Sequence, residues 1–312
     1  MSHAAESPVI AGVSWGSRHF RAYRIGAEGV LTDSYNEGAG VATLDRGGMA
    51  EAVARLVARW PGLTAIYASG MIGSPLGWTD VPYTLAPVGH DALARAAVVT
   101  VIGPAPVRII PGIACVRASD GAPDVLRGEE VELVGLAADR HDNGLMVLPG
   151  AHSKWVSLTN GRVTDFVTSM TGEIFDRLTT QGLLASIAGD EARDGAAFRE
   201  GVAIGRDASL GLGALLFGAR ARVMRGLIAK QDAASYLRGV LIGSELSDAE
   251  RLFAPLFDAV VTLVGKGPLA ALYAAALGSA GARTQFADAS AACVAGFGAI
   301  HRATRFTSGD RQ

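Results

Sequence analysis

Lysine is nearly missing from this chain. Three lysines, Lys154, Lys230 and Lys266, stand among 312 residues, and arginine carries the rest of the positive charge. Basic side chains number 28 and acidic ones 30, a net charge of −2 at pH 7. That balance lacks the basic excess and the basic runs of a nucleic-acid-binding chain, so no nucleic-acid partner is expected. Cysteine is equally scarce. Cys115 and Cys293 form no metal-ligand spacing and no disulfide framework, which makes a reduced, cytoplasmic setting the expectation. Residues 1–8 lack the basic and apolar pattern of a secretion signal, and no apolar run is long enough to span a bilayer, so no membrane partner is expected either. The positive mean hydropathy comes from abundant alanine and glycine.

Glycine is what the chain has in plenty, with 40 residues, and two of the three lysines sit beside glycine turns. The stretch 144–173 is the most informative. Leu145–Leu148 is an apolar run that reads as a buried strand, stopped by the turn-forming Pro149-Gly150. Ala151, His152, Ser153 and Lys154 follow, then a second strand over Trp155–Leu158, a hairpin signal at Thr159-Asn160-Gly161, and a return strand over Val163–Val167. Backbone N–H groups of the Gly150 turn, the Ser153 hydroxyl and Lys154 are placed where all can point at one anion.

The same order of features opens the chain. Val9–Arg24 gives an apolar strand, a turn at Gly16-Ser17 and an alternating strand from Phe20, followed by a turn at 26–29 and a strand over Val30–Tyr35. Setting Gly16 on Gly150 places the second strands in register. Two readings stand side by side: two unrelated meanders, or a duplicated domain whose halves each offer a glycine turn to one phosphate chain.

Further along, helical spacing marks Gly47–Trp60, His90–Val101, a helix that Asp124 precedes and that runs to about Ala138 with Arg127-Gly128-Glu129-Glu130 as its first turn, and Gly172–Ala188. Later helices are expected over Ala192–Gly205, Leu210–Leu227, Ala233–Glu245, Leu269–Leu277 and Ser290–Ala303, with a break at Pro255–Asp258. Val116–Pro123 reads as polar loop. Strands are expected at Thr64–Ala68, Val107–Ile110, Ala259–Val264 and Arg283–Ala287. The first of these runs into Ser69-Gly70-Met71-Ile72-Gly73-Ser74 and Trp78, a ligand position at a strand end in an α/β fold, with Trp78 and Tyr83 supplying aromatic surface for a sugar face. The strand over 259–264 runs into Gly265-Lys266-Gly267-Pro268 and a helix, a nucleotide cradle without Walker spacing.

Taken in order, VSWGSRHFRAYRI, SGMIGSPLGW, IIPGI, DVLRGEEVELVGL, LPGAHSKW, DFVTSMTGEIF, LIGSE and LVGKGPLAALY resemble the 2-dehydro-3-deoxygalactonokinase family of sugar-acid kinases. The ordered set is specific, above all RGEE, PGAHSKW and MTGE. The resemblance implies an α/β, two-domain actin/hexokinase-like (ribonuclease H-like) fold with an interdomain cleft. It implies ATP and Mg²⁺ as cofactors, and a small-molecule sugar acid, 2-dehydro-3-deoxy-D-galactonate, phosphorylated at its 6-hydroxyl in galactonate catabolism. Residues 1–135 would form the sugar-acid side and 136–312 the nucleotide side, each with a mainly five-stranded sheet, the last helix returning to the first domain. Family habit and the apolar helices are consistent with a homodimer.

On this reading Gly16, Ser17 and the turn Gly150, Ala151, His152, Ser153 and Lys154 hold the nucleotide phosphates, and Gly265, Lys266 and Gly267 hold the adenosine end. Glu129 is the expected base, with Glu130 second. Arg127 is set to pair with the substrate carboxylate, with a surface arginine as the competing reading. Ser69, Gly70, Met71, Ile72, Gly73 and Trp78 line the sugar-acid pocket. Thr171 and Glu173 in MTGE read as helix-capping structure. Two positions depart from the family pattern. Ser14 stands where superfamily members carry the aspartate that helps hold hydrated Mg²⁺, which leaves the metal ligands unassigned. Ala151-His152-Ser153 lacks one hydroxyl usual after Pro-Gly. Ser14 therefore keeps two other readings open, a catalytically silent sugar-acid-binding protein and a slow kinase; kinase action on another keto-deoxy acid is a third.

Overall fold

The computed structural model describes residues 9–139, 141–207, 209–254 and 258–309. In chain order the elements are β1 (Ile10–Trp15), β2 (Phe20–Ile25), β3 (Leu31–Glu37), α1 (Arg46–Arg59), β4 (Ala65–Gly70), β5 (Thr84–Leu85), α2 (His90–Ala96), β6 (Val98–Ile102), β7 (Ala105–Ile109), β8 (Ile113–Val116), β9 (Pro123–Leu126) and α3 (Glu130–Ala138). Then come β10 (Gly144–Leu148), β11 (Ser153–Thr159), β12 (Arg162–Ser169), α4 (Thr171–Thr180), α5 (Ala196–Asp207), α6 (Leu212–Met224), α7 (Ala233–Leu252), β13 (Val260–Val264), α8 (Pro268–Ser279), β14 (Arg283–Ala287) and α9 (Ala289–Gly309).

The chain forms two compact units. The first holds 1–143, the hairpin tip 158–165 and 289–312; the second holds 144–157 and 166–288. The boundary drawn from sequence, at 135/136, falls within α3. Residues 136–143 stay with the first unit because α3 is locked onto α9. A Cβ on Gly135 would stand 1.8 Å from the Ala292 carbonyl oxygen, and one on Gly296 1.9 Å from that of Val131. Only glycine allows two helix backbones that close.

The two units repeat one topology. In the first, the six-stranded sheet runs β3-β2-β1-β4-β7-β6; in the second, the five-stranded sheet runs β12-β11-β10-β13-β14. The first five strands of each sheet correspond one to one, with an antiparallel meander followed by parallel crossovers. One detail of the expected register fails. Phe20 and Ala22 face the first unit's core, and Trp155 faces the second's. With Gly16 on Gly150, Phe20 falls on Lys154 and the second strands are out of phase by one. Since side chains alternate faces along a strand, the turns differ by one residue.

Three further expectations are corrected. The helix expected over His90–Val101 ends at Ala96, because Val98–Ile102 is wholly β-branched, a composition that favours a strand. It pairs antiparallel with β7 and adds a sixth strand. Pro123–Leu126, expected as loop and helix start, is β9, paired with β8 in a separate three-stranded sheet, β5-β8-β9. Gly128 has φ +113°, which no helix contains, so α3 waits until Glu130. The helix from Gly172 stops at Thr180; Gly182, at φ +79°, sets the chain turning. Of the break expected at Pro255–Asp258, residues 255–257 lie outside the described residues.

In the first unit, Met49, Ala52, Val53 and Leu56 of α1 pack on Val13, Trp15, Ile66 and Ile109 of the sheet. On the opposite face, Gly12 admits the Phe297 ring of α9, which a Cβ would meet at 2.3 Å. The second unit buries α5 against α7 through Gly201, Gly205, Gly239 and Gly243. Each would place a Cβ 2.1 to 2.3 Å from a carbonyl oxygen of the other helix.

Candidate active site

In the first unit the ends of β1 and β4 lie side by side, with Ser14 paired to Ser69 and Trp15 to Gly70. The turn after β1 is fixed from behind. Val41 and Ala42 donate their N–H groups to the Gly16 and Ser17 carbonyls at 3.0 and 2.9 Å, and the Trp15 indole donates to the Ala39 carbonyl. Gly40 makes this possible, since a Cβ there would strike Arg18 and Ser17 at 2.3 Å. Held in this way, Ser14, Gly16, Ser17, Arg18, His19 and Arg21 line a pocket of about 250 Å³. It contains two guanidinium side chains and no carboxylate. Ser14 faces Arg21 across the β1–β2 ladder. This turn does not fit a Mg²⁺ ion, which takes carboxylate and water oxygens; it suits an anion.

At the end of β4, Gly70 has φ +95° and its Cα lies 3.5 Å from where a Cβ on Gly128 would stand. The 127–130 segment is thereby laid against the β4 end. Glu129 occupies the N-cap of α3, and its carboxylate accepts the Arg127 N–H at 3.1 Å. Glu130 is fully buried. Its Oε2 accepts the Gly128 N–H while Oε1 has no partner, and burial pushes its acid up to about 8. Arg127 stacks on the Tyr83 ring at 4.3 Å and donates from Nη2 to the Val81 carbonyl, while its Nε and Nη1 are buried without acceptors. The Ser69 hydroxyl is likewise buried and unpartnered. Orphaned donors of this kind are costly and mark a place where a ligand group or water is wanted.

Two expected lining residues serve otherwise. Ile72 is fully buried in the first unit's core. Trp78 donates its indole N–H to Thr100, and Arg46 covers its ring at 4.0 Å, so that face is taken. Met71 is half-buried against the same core, and Gly73 matters through its missing Cβ, which would press on Arg127 Nη1 at 2.9 Å.

In the second unit, the turn 149–152 leads into β11, and only Gly150, Ala151 and His152 of the expected anion-holding group face outward. Ser153 is buried, its hydroxyl hydrogen-bonded with the Tyr273 hydroxyl at 2.7 Å. Lys154 is buried and its ammonium donates to the His152 carbonyl at 3.0 Å, closing the turn. Both side chains help to build the turn. Behind them lies a network that sequence reasoning did not assign. Thr171 and Tyr273 donate to Glu245 Oε2, and the Trp155 indole donates to Glu245 Oε1. Burial pushes the Glu245 acid up, and these donors oppose that shift. The signal was in LIGSE and GKGPLAALY, whose Glu245 and Tyr273 are polar groups in apolar helices. MTGE places α4 behind the turn: the Glu173 N–H donates to the Ala151 carbonyl at 2.9 Å, and the Glu173 carboxylate meets His152 Nε2 at 2.6 Å. His152 holds the Glu173 acid below its usual range.

After β13, Gly265 and Gly267 have φ of +102° and +109°, with nothing within 4 Å of a Cβ at either. Gly267 caps α8 and Pro268 begins it, leaving helix N-terminal amides at an open surface. Lys266 is exposed and pairs with Asp288 at 3.1 Å. Beside this turn, residues 190–194 with Pro268, Ala271 and Leu272 enclose about 440 Å³. Asp190, Glu191, Arg193 and Asp194 are among the lining side chains of this pocket. Among the described residues, no three His, Cys, Asp or Glu are grouped to hold a metal ion, and no helix is long and apolar enough to cross a membrane.

Known proteins share this architecture. A solved structure of a 2-dehydro-3-deoxygalactonokinase protein from Sinorhizobium meliloti superposes with a TM-score of 0.86 at 34% identity, covering 94% of this chain and 98% of that one. The activator of 2-hydroxyisocaproyl-CoA dehydratase from Clostridium difficile superposes at 0.54 with 11% identity over 96% of this chain and 97% of its own, a likeness of fold alone. In sequence, a 2-dehydro-3-deoxygalactonokinase of Rhizobium meliloti is 34% identical over 299 residues, 94% of this chain and 96% of that protein. The Escherichia coli 2-dehydro-3-deoxygalactonokinase is 31% identical over 262 residues, 84% and 86% of the two chains. The profile of the 2-keto-3-deoxy-galactonokinase family matches residues 14–300. With its repeated actin/hexokinase-like topology and a family match from Ser14 to Ile300, the chain belongs to the 2-keto-3-deoxy-galactonokinase family, a family of sugar-acid kinases.

Proposed function

We propose that this chain transfers the γ-phosphoryl group of ATP to the 6-hydroxyl of 2-dehydro-3-deoxy-D-galactonate, a step of galactonate catabolism. The family match over residues 14–300 carries the reading, and the orphaned polar atoms of the first unit support it. Arg127, with buried Nε and Nη1 lacking acceptors, is assigned to the substrate carboxylate, and Ser69 to a substrate oxygen. Glu129 is assigned as base. Its carboxylate takes the 6-hydroxyl proton as that oxygen bonds to the γ-phosphorus and the bond to the departing ADP breaks. Glu130, fully buried, holds Gly128 and with it the segment that carries Arg127 and Glu129.

ATP supplies the phosphoryl group. The turns at Gly16 and Ser17 and at Gly150–His152 are assigned to its phosphates, with Ser153 and Lys154 shaping the second. Gly265–Gly267 and the pocket beside α8 are assigned to adenosine. Mg²⁺ is assigned to the nucleotide and water, because the first turn offers guanidinium groups where the superfamily has a carboxylate. A homodimer is proposed on the exposed Leu210, Phe217 and Met224, seven residues apart along and before α6, and a cytoplasmic setting on the scarcity of cysteine. Incubation with ATP and the sugar acid, followed by ³¹P detection of a 6-phosphate ester, tests the reaction. Running the gluconate epimer beside it tests the substrate. No ester from either acid, with binding intact, favours the silent binding protein that Ser14 suggests.

A further inference from the structure

At the far end of β1 from the Gly16 turn, the first unit carries a second cluster of cations. The six residues of β1 separate the two ends by roughly 17 Å at about 3.3 Å per residue. On one face of α9, Gly298, His301, Arg302 and Arg305 recur at helical spacing and turn onto a pocket of about 320 Å³, closed on its other side by the 26–29 turn. Arg302 also borders a second pocket of about 480 Å³, lined as well by His90, Asp91 and Arg162. Gly298 and Gly29 lie beside Arg302: Cβ atoms there would stand 3.3 and 3.7 Å from its Nη1.

The charge here is unbalanced. Among the described residues no carboxylate pairs with Arg108, Arg302 or Arg305, although thirteen ion pairs occur elsewhere, most of them on arginine. Glu28 is the one acid lining the smaller pocket and Asp91 the one lining the larger. His301 adds a second, independent feature. Its Nδ1 is held at 3.0 Å by the Tyr67 hydroxyl, while Nε2 is buried without a partner. The tautomer in which Nδ1 accepts from Tyr67 carries its proton on Nε2 as a spare donor. Burial and the three arginines push the imidazolium acid down. Cations near a helix C-terminus are favoured by its dipole, but that attraction does not explain why they converge on a cavity.

We propose that this end of the first unit is a binding site for a small phosphate-bearing anion, held by Arg302 and Arg305 beside His301. Guanidinium forks match phosphate oxygens. The volume admits inorganic phosphate or a phosphorylated sugar acid of the size the family's reaction would release. The site does not rest on the functional assignment made above, because none of its residues belongs to the groups assigned to phosphoryl transfer. Any effect on them would pass along α9, which packs by Gly296 against α3, the helix that Glu129 caps.

Calorimetric titration of the full chain tests this. Inorganic phosphate and the 6-phosphorylated sugar acid are titrated separately, with a non-hydrolysable ATP analogue saturating the nucleotide turns. Binding of at least one anion is expected, and it identifies the source. The Arg302→Gln/Arg305→Gln variant, which keeps the aliphatic stems, should weaken it at least tenfold while melting temperature and ATP-analogue affinity stay unchanged. His301→Gln should weaken it less and provides a second test if the double variant folds poorly. No binding of either anion at millimolar concentration, or binding unchanged in these variants, would overturn the proposal.

Discussion

Gly172 lies against Gly150 so closely that a Cβ on Gly172 would stand 2.1 Å from the Gly150 carbonyl oxygen. The first turn of α4 is thereby the floor of the 149–152 turn, and the Glu173 N–H to Ala151 bond fixes the contact. Gly172→Ala must displace that turn. We expect a stability loss of about 1–3 kcal/mol, as for overpacking. In steady-state assays kcat/KM for ATP should fall at least tenfold, with KM for the sugar acid within about twofold. An unchanged ATP dependence would remove the 149–152 turn from the phosphate site.

Behind this turn, Glu245 gathers hydrogen bonds from Thr171, Tyr273 and Trp155 in a buried setting. Glu245→Ala leaves three buried donors without their acceptor, each costing about 1–3 kcal/mol. Urea denaturation should show a loss of about 3 kcal/mol or more. Tyr273→Phe, which removes one donor, should cost about 1 kcal/mol. A loss below 1 kcal/mol for Glu245→Ala would mean that the network does not support the fold.

Glu130 predicts a pH dependence. Its folded acid stands at about 8 against an ordinary value of 4.5. Between these values the folded chain keeps a proton that the unfolded chain has released. Its contribution to stability is therefore complete below about pH 4.5 and falls as pH rises through about 8, with a slope near 1.4 kcal/mol per pH unit at most. Glu130→Gln cannot titrate. The difference in unfolding free energy, variant minus wild type, should therefore rise steadily from pH 5 to 8 in chemical denaturation. A flat difference would mean that Glu130 ionises normally.

Much of the fold was legible because the pattern was local. The strands β1, β10 and β13 are apolar runs ended by glycine turns, and the meanders alternate. The misread segments each involved a partner distant in sequence. β6 lies next to a helix in the chain and owes its strand to β7; β9 forms only because β8 supplies its hydrogen bonds. The close helix pairs were written as Gly201/Gly205 and Gly239/Gly243, four apart in both helices, a spacing with meaning only once the helices are known to cross. In the candidate site, Glu129 and Arg127 were marked by the family resemblance that RGEE carries. Glu245 and Tyr273 did not, since a buried polar network is defined by contacts between residues as far apart as Ser153 and Tyr273.

Ser14 lies across the ladder from Arg21. A carboxylate introduced by Ser14→Asp would meet that guanidinium and neutralise it. We therefore expect kcat with saturating Mg²⁺ and ATP to change less than threefold. A gain above tenfold would show that the missing carboxylate limits the enzyme, and that the arginines of the first turn do not replace it.

The central claim is phosphoryl transfer to a sugar acid with Glu129 as base. Its most direct test is ADP release from Mg²⁺-ATP in the presence of 2-dehydro-3-deoxy-D-galactonate, for the wild type beside Glu129→Gln. The account predicts sugar-acid-dependent ADP release by the wild type and a loss of about 10²–10⁴-fold in kcat for the variant, with sugar-acid binding retained by calorimetry. Wild-type turnover that survives in Glu129→Gln would contradict the assignment of the base. No turnover by a wild type that still binds the sugar acid would contradict the kinase itself.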